Sequence, residues 1–402
     1  MDLTYSEEHE SFRKQVREFL EGWPLTGDEA KLPQAEQESL FRSRGIERGF
    51  VYRDIPKEYG GSGQEADPIK EAIALEEFTA VGAPGNENTQ GPGMLAPTLI
   101  EFGNEEQKKR FVPPTLRGEM RWCQGYSEPG SGSDLASLQC SATLEGDEWV
   151  INGQKIWTSS AEEADYMFGL FRTEPDAGKH AGISYMLVDM KVPGIDVRPL
   201  KQMTGGIEFY EVFFDDARVP ADHLVGERGQ GWQVSRATLK HERNLIGNPN
   251  MMRESFESVV ELARRTLRNG RPAIEDPLIR QRVVEIECHV RTSETSNLRQ
   301  LSAAVKGEEI KAMLPMMMNK LYSTDTMQMI AKLAYDLLGS DGMLAPREED
   351  ISGYARNTTP TGWVEQWIFS LGPAIAGGAT NIQLNIIGER GYGLPRDLRL
   401  KK

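Results

Sequence analysis

Three polar stretches hold the residues whose types and spacing suit chemistry. In WCQGYSEPGSGSDLAS (122–137), Gly130 and Gly132 flank Ser131, and Ser133 and Asp134 follow. No Gly-Lys-Ser/Thr comes after them, which excludes a phosphate-cradling P-loop and leaves a surface loop or a different ligand contact. In NGQKIWTSSAEEAD (152–165), Trp157 stands beside three consecutive hydroxyls, Thr158, Ser159 and Ser160. That indole is either a core aromatic or one kept for a ligand. In GPAIAGGATNIQ (372–383), the chain becomes small just before an apolar run. Gly377, Gly378 and Ala379 are an anion cradle at a helix start, a plain turn, or a place where a larger functional side chain is missing.

These stretches need elements to hold them. The first third reads helical: Phe12, Val16, Phe19 and Leu20 recur at helical spacing, and TYSE offers a capping box from Thr4 to Glu7. PIKEAIALEEFTAVG and NEEQKKRFVPPTL continue the helical pattern between Gly- and Pro-rich turns. The middle third changes period. EWVINGQKIW reads as a hairpin about Asn152-Gly153, and ADYMFGLFRT, GISYMLVDM, GIDVRPL and IEFYEVFFDDARVP read as further strands. Long helices then return at about 231–268, 278–305, 308–339 and 363–388, a pattern suited to a four-helix bundle. The spacing predicts an α+β multidomain chain: an N-terminal α-helical domain over 1–120, a middle β-barrel or sandwich domain over 121–230, and a C-terminal helical bundle over 231–402.

Composition narrows the class. The chain has 402 residues, enough for two or three packed units. A net charge of −15 argues against nucleic acid and against an anionic membrane surface. No apolar run of about 18 residues appears, so no membrane span is expected. The three cysteines (Cys123, Cys140, Cys288) are far apart and form no CxxC site, and the five histidines form no HExxH, so no metal site is expected. A reducing cytoplasm is the expected location.

Taken in order on an α-β-α chain, the motifs resemble the acyl-CoA dehydrogenase family. YSEPGSGSD is similar to the family's first signature loop, with Tyr126 where a smaller aliphatic residue is usual. INGQKIWTSSA is similar to its second flavin segment. TYSEEHESFRKQVREFL, IPKEYGG, EVFFDDARVP and NIQLNIIGERGYGLPR resemble its opening helix, N-domain turn, β-domain exit and C-terminal helix. The resemblance spans nearly the whole chain. It implies a non-covalent FAD and an acyl-CoA substrate. Polar groups along Gln124–Ser127, Tyr126 included, would meet the flavin's pyrimidine edge. Trp157 would cover one ring face, and Thr158 and Ser159 would donate near N5. Ser133 would serve both the cofactor and the thioester side, and Thr380 and Asn381 would be polar contacts near the flavin. Electron-transfer flavoprotein is the implied acceptor, and a homo- or heterotetramer the implied assembly. An acyl-CoA oxidase on the same fold and a non-catalytic or flavin-sharing subunit of a heterotetramer are the alternatives.

Dehydrogenating an acyl thioester needs a base for the α-proton. Most family members supply a glutamate in the pattern Glu-Gly-Thr-Ser-x-Ile-Gln. Aligning Ile382-Gln383 places Gly377 at that glutamate, so the usual base is absent. Isovaleryl- and long-chain-type members hold the base on a bundle helix instead. In SRATLKHERNLIGNP, Glu242 falls on that position and Arg243 follows as a substrate-side residue. Glycine at the usual base position hints at room for a bulky, branched or ring-bearing acyl group. The partner-supplied half of the family's FAD site is altered. RTLRNGRPAIEDP resembles Arg-x-x-Phe-Gly-Lys only loosely, with Arg265 or Arg268 as the arginine; the resemblance implies Arg268 as the cofactor contact. YDLLGSDGML puts Asp336 where a glutamine is usual and Ser340 at a glycine.

Overall fold

A computed structural model describes residues 5–85, 89–245, 249–347 and 359–395; within these, the side chains of 242–245 and 309–312 are outside the description. The chain divides into two compact units, one of residues 1–200 and 208–242 and one of 201–207 and 243–402.

The first unit opens with helices α1 (Glu7–Leu20), α2 (Gln34–Glu47), α3 (Pro68–Val81), α4 (Ala96–Phe102) and α5 (Glu105–Leu116). Phe12, Val16 and Leu20 of α1 are buried, as their spacing requires. The N-cap of α1 is Ser6, whose hydroxyl accepts from the His9 N–H at 3.3 Å. Thr4, the cap expected from sequence, lies outside the described residues. Asp67 caps α3 by accepting from Ile69 and Lys70, with Pro68 filling the first helical position where its missing N–H costs nothing. Asn104 and Gln107 form a reciprocal capping box on α5. The Gln107 amide also donates to the carbonyls of Asp222 and Leu224, at 2.7 and 2.8 Å, and so fastens α5 to the β-domain.

Eight strands follow: β1 (Trp122–Gly125), β2 (Ser141–Glu145), β3 (Glu148–Ser159), β4 (Tyr166–Arg172), β5 (Ile183–Asp189), β6 (Ile195–Leu200), β7 (Phe209–Pro220) and β8 (Leu224–Val225). Their order is β6-β7-β3-β2-β4-β5-β8, with β1 pairing β4 in parallel. The terminal strands β6 and β8 are not paired with each other, so this sheet is not a closed barrel among the described residues. Its core includes Trp149, Ile151, Met167, Phe171, Val188 and Val212. The expected hairpin about Asn152-Gly153 is corrected: the turn is at Gly146, between β2 and β3, and β3 runs straight through residues 152 and 153. Gly153, with φ of 136°, instead borders a bulge of β7, where Asp215 and Asp216 stand opposite Asn152. A Cβ on Gly153 would lie 2.8 Å from the Cα of Cys140, so the glycine answers a close approach of two backbones.

Helix α6 (Gly231–Leu245) leads out of the β-domain. The second unit then holds α7 (Pro249–Arg265), α8 (Pro277–Val305), α9 (Glu309–Leu338), α10 (Pro360–Phe369) and α11 (Thr380–Ile386). A two-stranded hairpin, β9 (Leu267–Arg268) and β10 (Arg271–Pro272), joins α7 to α8. Phe256, Val259, Ile286, Val290, Ile330, Leu333 and Trp363 form the core shared by α7, α8, α9 and α10. The expected helix over 363–388 is corrected to two short helices. Gly377 and Gly378 have φ of 59° and 92°, and two left-handed residues in succession cannot continue a right-handed helix.

Candidate active site

In the first unit, β3 carries the aromatic and hydroxyl residues. A second register shift between Lys155 and Thr158 bends the strand, and Trp157 takes φ of 60°. A non-glycine residue rarely holds that conformation without a reason. The result is an indole that is 59% exposed, its edge set against Phe209 with ring centroids 6.0 Å apart. An exposed indole in a strained backbone fits a ring-covering role better than a core role. Ser159 is half-buried beside it, whereas Thr158 is fully buried and its Oγ1 has no hydrogen-bond partner.

The signature loop lies beside this segment. The Ile156 N–H donates to the Ser127 carbonyl at 2.9 Å. Gln124 is half-buried on β1, and Tyr126 is buried, its ring edge-on to Phe168 and Tyr185. Glu128 and Ser131 exchange backbone hydrogen bonds of 2.8 and 3.0 Å, and Ser131 Oγ donates to the carbonyls of Asp134 and Leu135. The tip of the loop is thus fixed from within. Ser133 is exposed, and Asp134 pairs with Lys179 at 2.6 Å on the surface. Sequence reading passed over two residues of this region, Glu128 and Lys155, which form a buried ion pair at 2.8 Å. Their charges, 27 residues apart in sequence, gave no local signal of the pairing.

Glu242 and Arg243 lie on α6, and their side chains are outside the described part of the structure. Glu242 follows Val234 and Thr238 at steps of four, and both of those are fully buried. Thr238 Oγ1 lies 3.0 Å from Thr98 Oγ1, which fixes the helix against α4.

In the second unit, three side chains each hold one carbonyl of the glycine-rich turn. Thr380 Oγ1 donates to Ala374 at 3.2 Å, Gln383 Nε2 to Gly377 at 3.2 Å, and Lys320 Nζ to Gly378 at 2.8 Å. Lys320 is almost fully enclosed, and burial lowers its pKa. Asn381 is exposed. Arg268 stands on the β9–β10 hairpin, 3.5 Å from the Asp276 carboxylate. Asp336 pairs with Lys332, and with Arg282 at 2.9 Å. Burial pushes its pKa up, but the two cations outweigh that and hold it below the ordinary value. Its charge is therefore neutralised within the bundle. One unit gathers Gln124, Tyr126, Ser127, Ser133, Trp157, Thr158 and Ser159; the other holds Arg268, Thr380 and Asn381.

Family models for the N-terminal, middle and C-terminal domains of acyl-CoA dehydrogenase match residues 6–119, 123–217 and 229–392. The chain belongs to the acyl-CoA dehydrogenase family. It has that family's three-domain architecture, helical at both ends with a β-domain between, and it is an oxidoreductase. It is 39% identical to the acyl-CoA dehydrogenase IpdE1 of Mycobacterium tuberculosis over 97% of this chain and 99% of the relative. Among solved structures it is similar to the ChsE4-ChsE5 complex of M. tuberculosis, with a TM-score of 0.78, 28% identity and coverage of 99% of this chain and 100% of the other. It is equally similar to the Tcur3481-Tcur3483 steroid acyl-CoA dehydrogenase, with a TM-score of 0.78, 29% identity and the same coverage. Among the described residues no helix is long and apolar enough to cross a membrane.

Proposed function

We propose that this chain dehydrogenates a bulky, ring-bearing acyl-CoA with FAD, using Glu242 as the base. The observation that carries the flavin reading is Trp157: an open indole on a left-handed backbone position, flanked by hydroxyls and by a polar loop. These residues fit a flat, polar-edged ring. When bound, FAD accepts the β-hydride and carries the redox chemistry.

The chain's own residues do the rest. Trp157 covers the ring face and excludes water from it. Gln124, Tyr126 and Ser127 line the pyrimidine edge, and Ser133 orients cofactor and thioester. Ser159, the more open of the two hydroxyls, donates toward N5, with the enclosed Thr158 behind it; such a donor favours charge that develops only in the transition state. Glu242 takes the α-proton, and Arg243 sits beside it on the substrate side. Thr380 and Asn381 contribute at the glycine-rich turn, and Arg268 reaches the cofactor site of a neighbouring subunit. Electron-transfer flavoprotein is the acceptor.

The bulky acyl group is supported by two things: Gly377 aligns with the usual glutamate, and one similar structure is a steroid acyl-CoA dehydrogenase. The similar structures ChsE4-ChsE5 and Tcur3481-Tcur3483 each pair two different chains by name, which favours a second reading of the assembly, a heterotetramer in which this chain is one of two subunit types. The test is anaerobic titration of the purified yellow protein with a panel of acyl-CoA thioesters, followed at the flavin's visible band. Bleaching by ring-bearing thioesters in preference to straight-chain ones is expected. A protein that is bleached by none of them, with or without its partner subunit, refutes the reading.

A further inference from the structure

We infer that the Glu128–Lys155 pair is a positioning element that sets the gap between the signature loop and the Trp157 segment, and so tunes the flavin slot; this rests on the flavin reading above. Lys155 is fully buried on β3, and its ammonium has three oxygen acceptors. It donates to Glu128 at 2.8 Å, to the Leu170 carbonyl at 2.7 Å and to the Tyr126 carbonyl at 3.4 Å. Glu128 in turn accepts from the backbone N–H of Gln139 at 2.6 Å and of Cys140 at 2.9 Å. The pair therefore ties together the loop at 126–128, strands β3 and β4, and the segment at 139–140.

Its place along the chain gives this clamp a functional direction. Glu128 follows Ser127 directly, and Lys155 precedes Trp157 by two residues. Among the described residues, one backbone hydrogen bond, from Ile156 to Ser127, links the same two segments. Two further features also make the region sensitive. The backbone at Gly153 closely approaches Cys140, which is itself held by Glu128. Moreover, Trp157 holds a backbone conformation that its neighbours must enforce. A fully buried ammonium is a costly way to join strands, since an apolar pair of similar volume serves stability as well or better. What the ion pair supplies is fixed geometry through five directed hydrogen bonds.

The test uses the full chain carrying Lys155→Met, Glu128→Gln, or both, with FAD binding, the flavin's visible spectrum and thermal unfolding measured in parallel. Lys155→Met leaves Glu128 buried without its cation and melts lower. The double variant removes both charges and recovers much of that stability. It still lacks the donor to the Tyr126 and Leu170 carbonyls. FAD affinity in the folded double variant is expected to stay about 10- to 100-fold below wild type, the order typical of groups that orient a ligand's direct contacts, with a shifted visible band. A folded double variant with wild-type FAD affinity and spectrum overturns the inference and leaves the pair a structural brace. If Lys155→Met fails to fold, the double variant and Glu128→Gln still decide it. A wild-type chain that takes up no FAD refutes the flavin reading itself.

Discussion

Replacing Gly153 by alanine tests how β3 is built. Gly153 has φ of 136°, a region that L side chains rarely enter, which costs roughly 1–3 kcal/mol. The new Cβ would also meet Cys140 at 2.8 Å from both Cα and Sγ. The Cα is backbone on a neighbouring strand segment and cannot swing aside. Forcing a methyl into such packing adds about 1–3 kcal/mol. The sum is about 2–6 kcal/mol, so melting should fall by roughly 5–20 °C at about 3 °C per kcal/mol. A plain exposed turn at Asn152-Gly153 would cost only about 1 kcal/mol on the same change. Thermal unfolding followed by near-ultraviolet dichroism reads the difference, because Trp149 and Trp157 lie on the same strand. A Gly153→Ala protein that melts within about 3 °C of wild type refutes the strained backbone and its close approach to Cys140.

Two further predictions follow from ionisable groups. Burial pushes the Cys140 thiol up to about 11 and raises Cys123 as well, whereas Cys288 is exposed. A thiol reagent at pH 8 should therefore titrate one cysteine rapidly in the native protein and three after unfolding; two or more fast thiols would contradict the packing. For Glu77, burial raises the pKa, but hydrogen bonds from Arg17 and Arg13 outweigh it and leave the carboxylate below its ordinary 4.5. A depressed pKa stabilises the fold above the unfolded value and is lost as pH falls through the folded one. Glu77→Gln should cost roughly 1.5–3 kcal/mol at pH 7, and the gap should close as pH drops below 4.5. A gap that persists at pH 3 in denaturant titrations would exclude the ion pairs as its source.

The α-β-α order was legible because period 3.6 and period 2 differ plainly along the chain, and the strands at 166–172, 183–189, 195–200 and 209–220 fall inside the runs that signalled them. The two Asn-Gly pairs show where local signals stop. At Asn269-Gly270 both residues have positive φ, 52° and 78°, and a two-residue hairpin forms. At Asn152-Gly153 only the glycine does, because the strand is captured on both sides, by β2 and by β7. Tertiary pairing overrode the dipeptide. The helix expected over 363–388 failed for the opposite reason. Apolar spacing continues past Phe369, but Gly377 and Gly378 adopt the left-handed turn their lack of a Cβ allows. In the candidate site, the indole and hydroxyls were legible as motif residues. The buried Glu128–Lys155 pair was not, since its partners come from segments 27 residues apart. Charged residues in a motif read as solvated until the fold shows what encloses them.

The central claim is that Glu242 takes the α-proton. The measurement is anaerobic stopped-flow reduction of the bound flavin by an acyl-CoA that bleaches the wild type, repeated with Glu242→Gln. The amide keeps the size of the side chain and removes its basicity. The variant should retain FAD with an unchanged oxidised spectrum and be reduced slower by about 10²–10⁴-fold, the usual contribution of a positioned base. Bleaching at the wild-type rate would contradict the account.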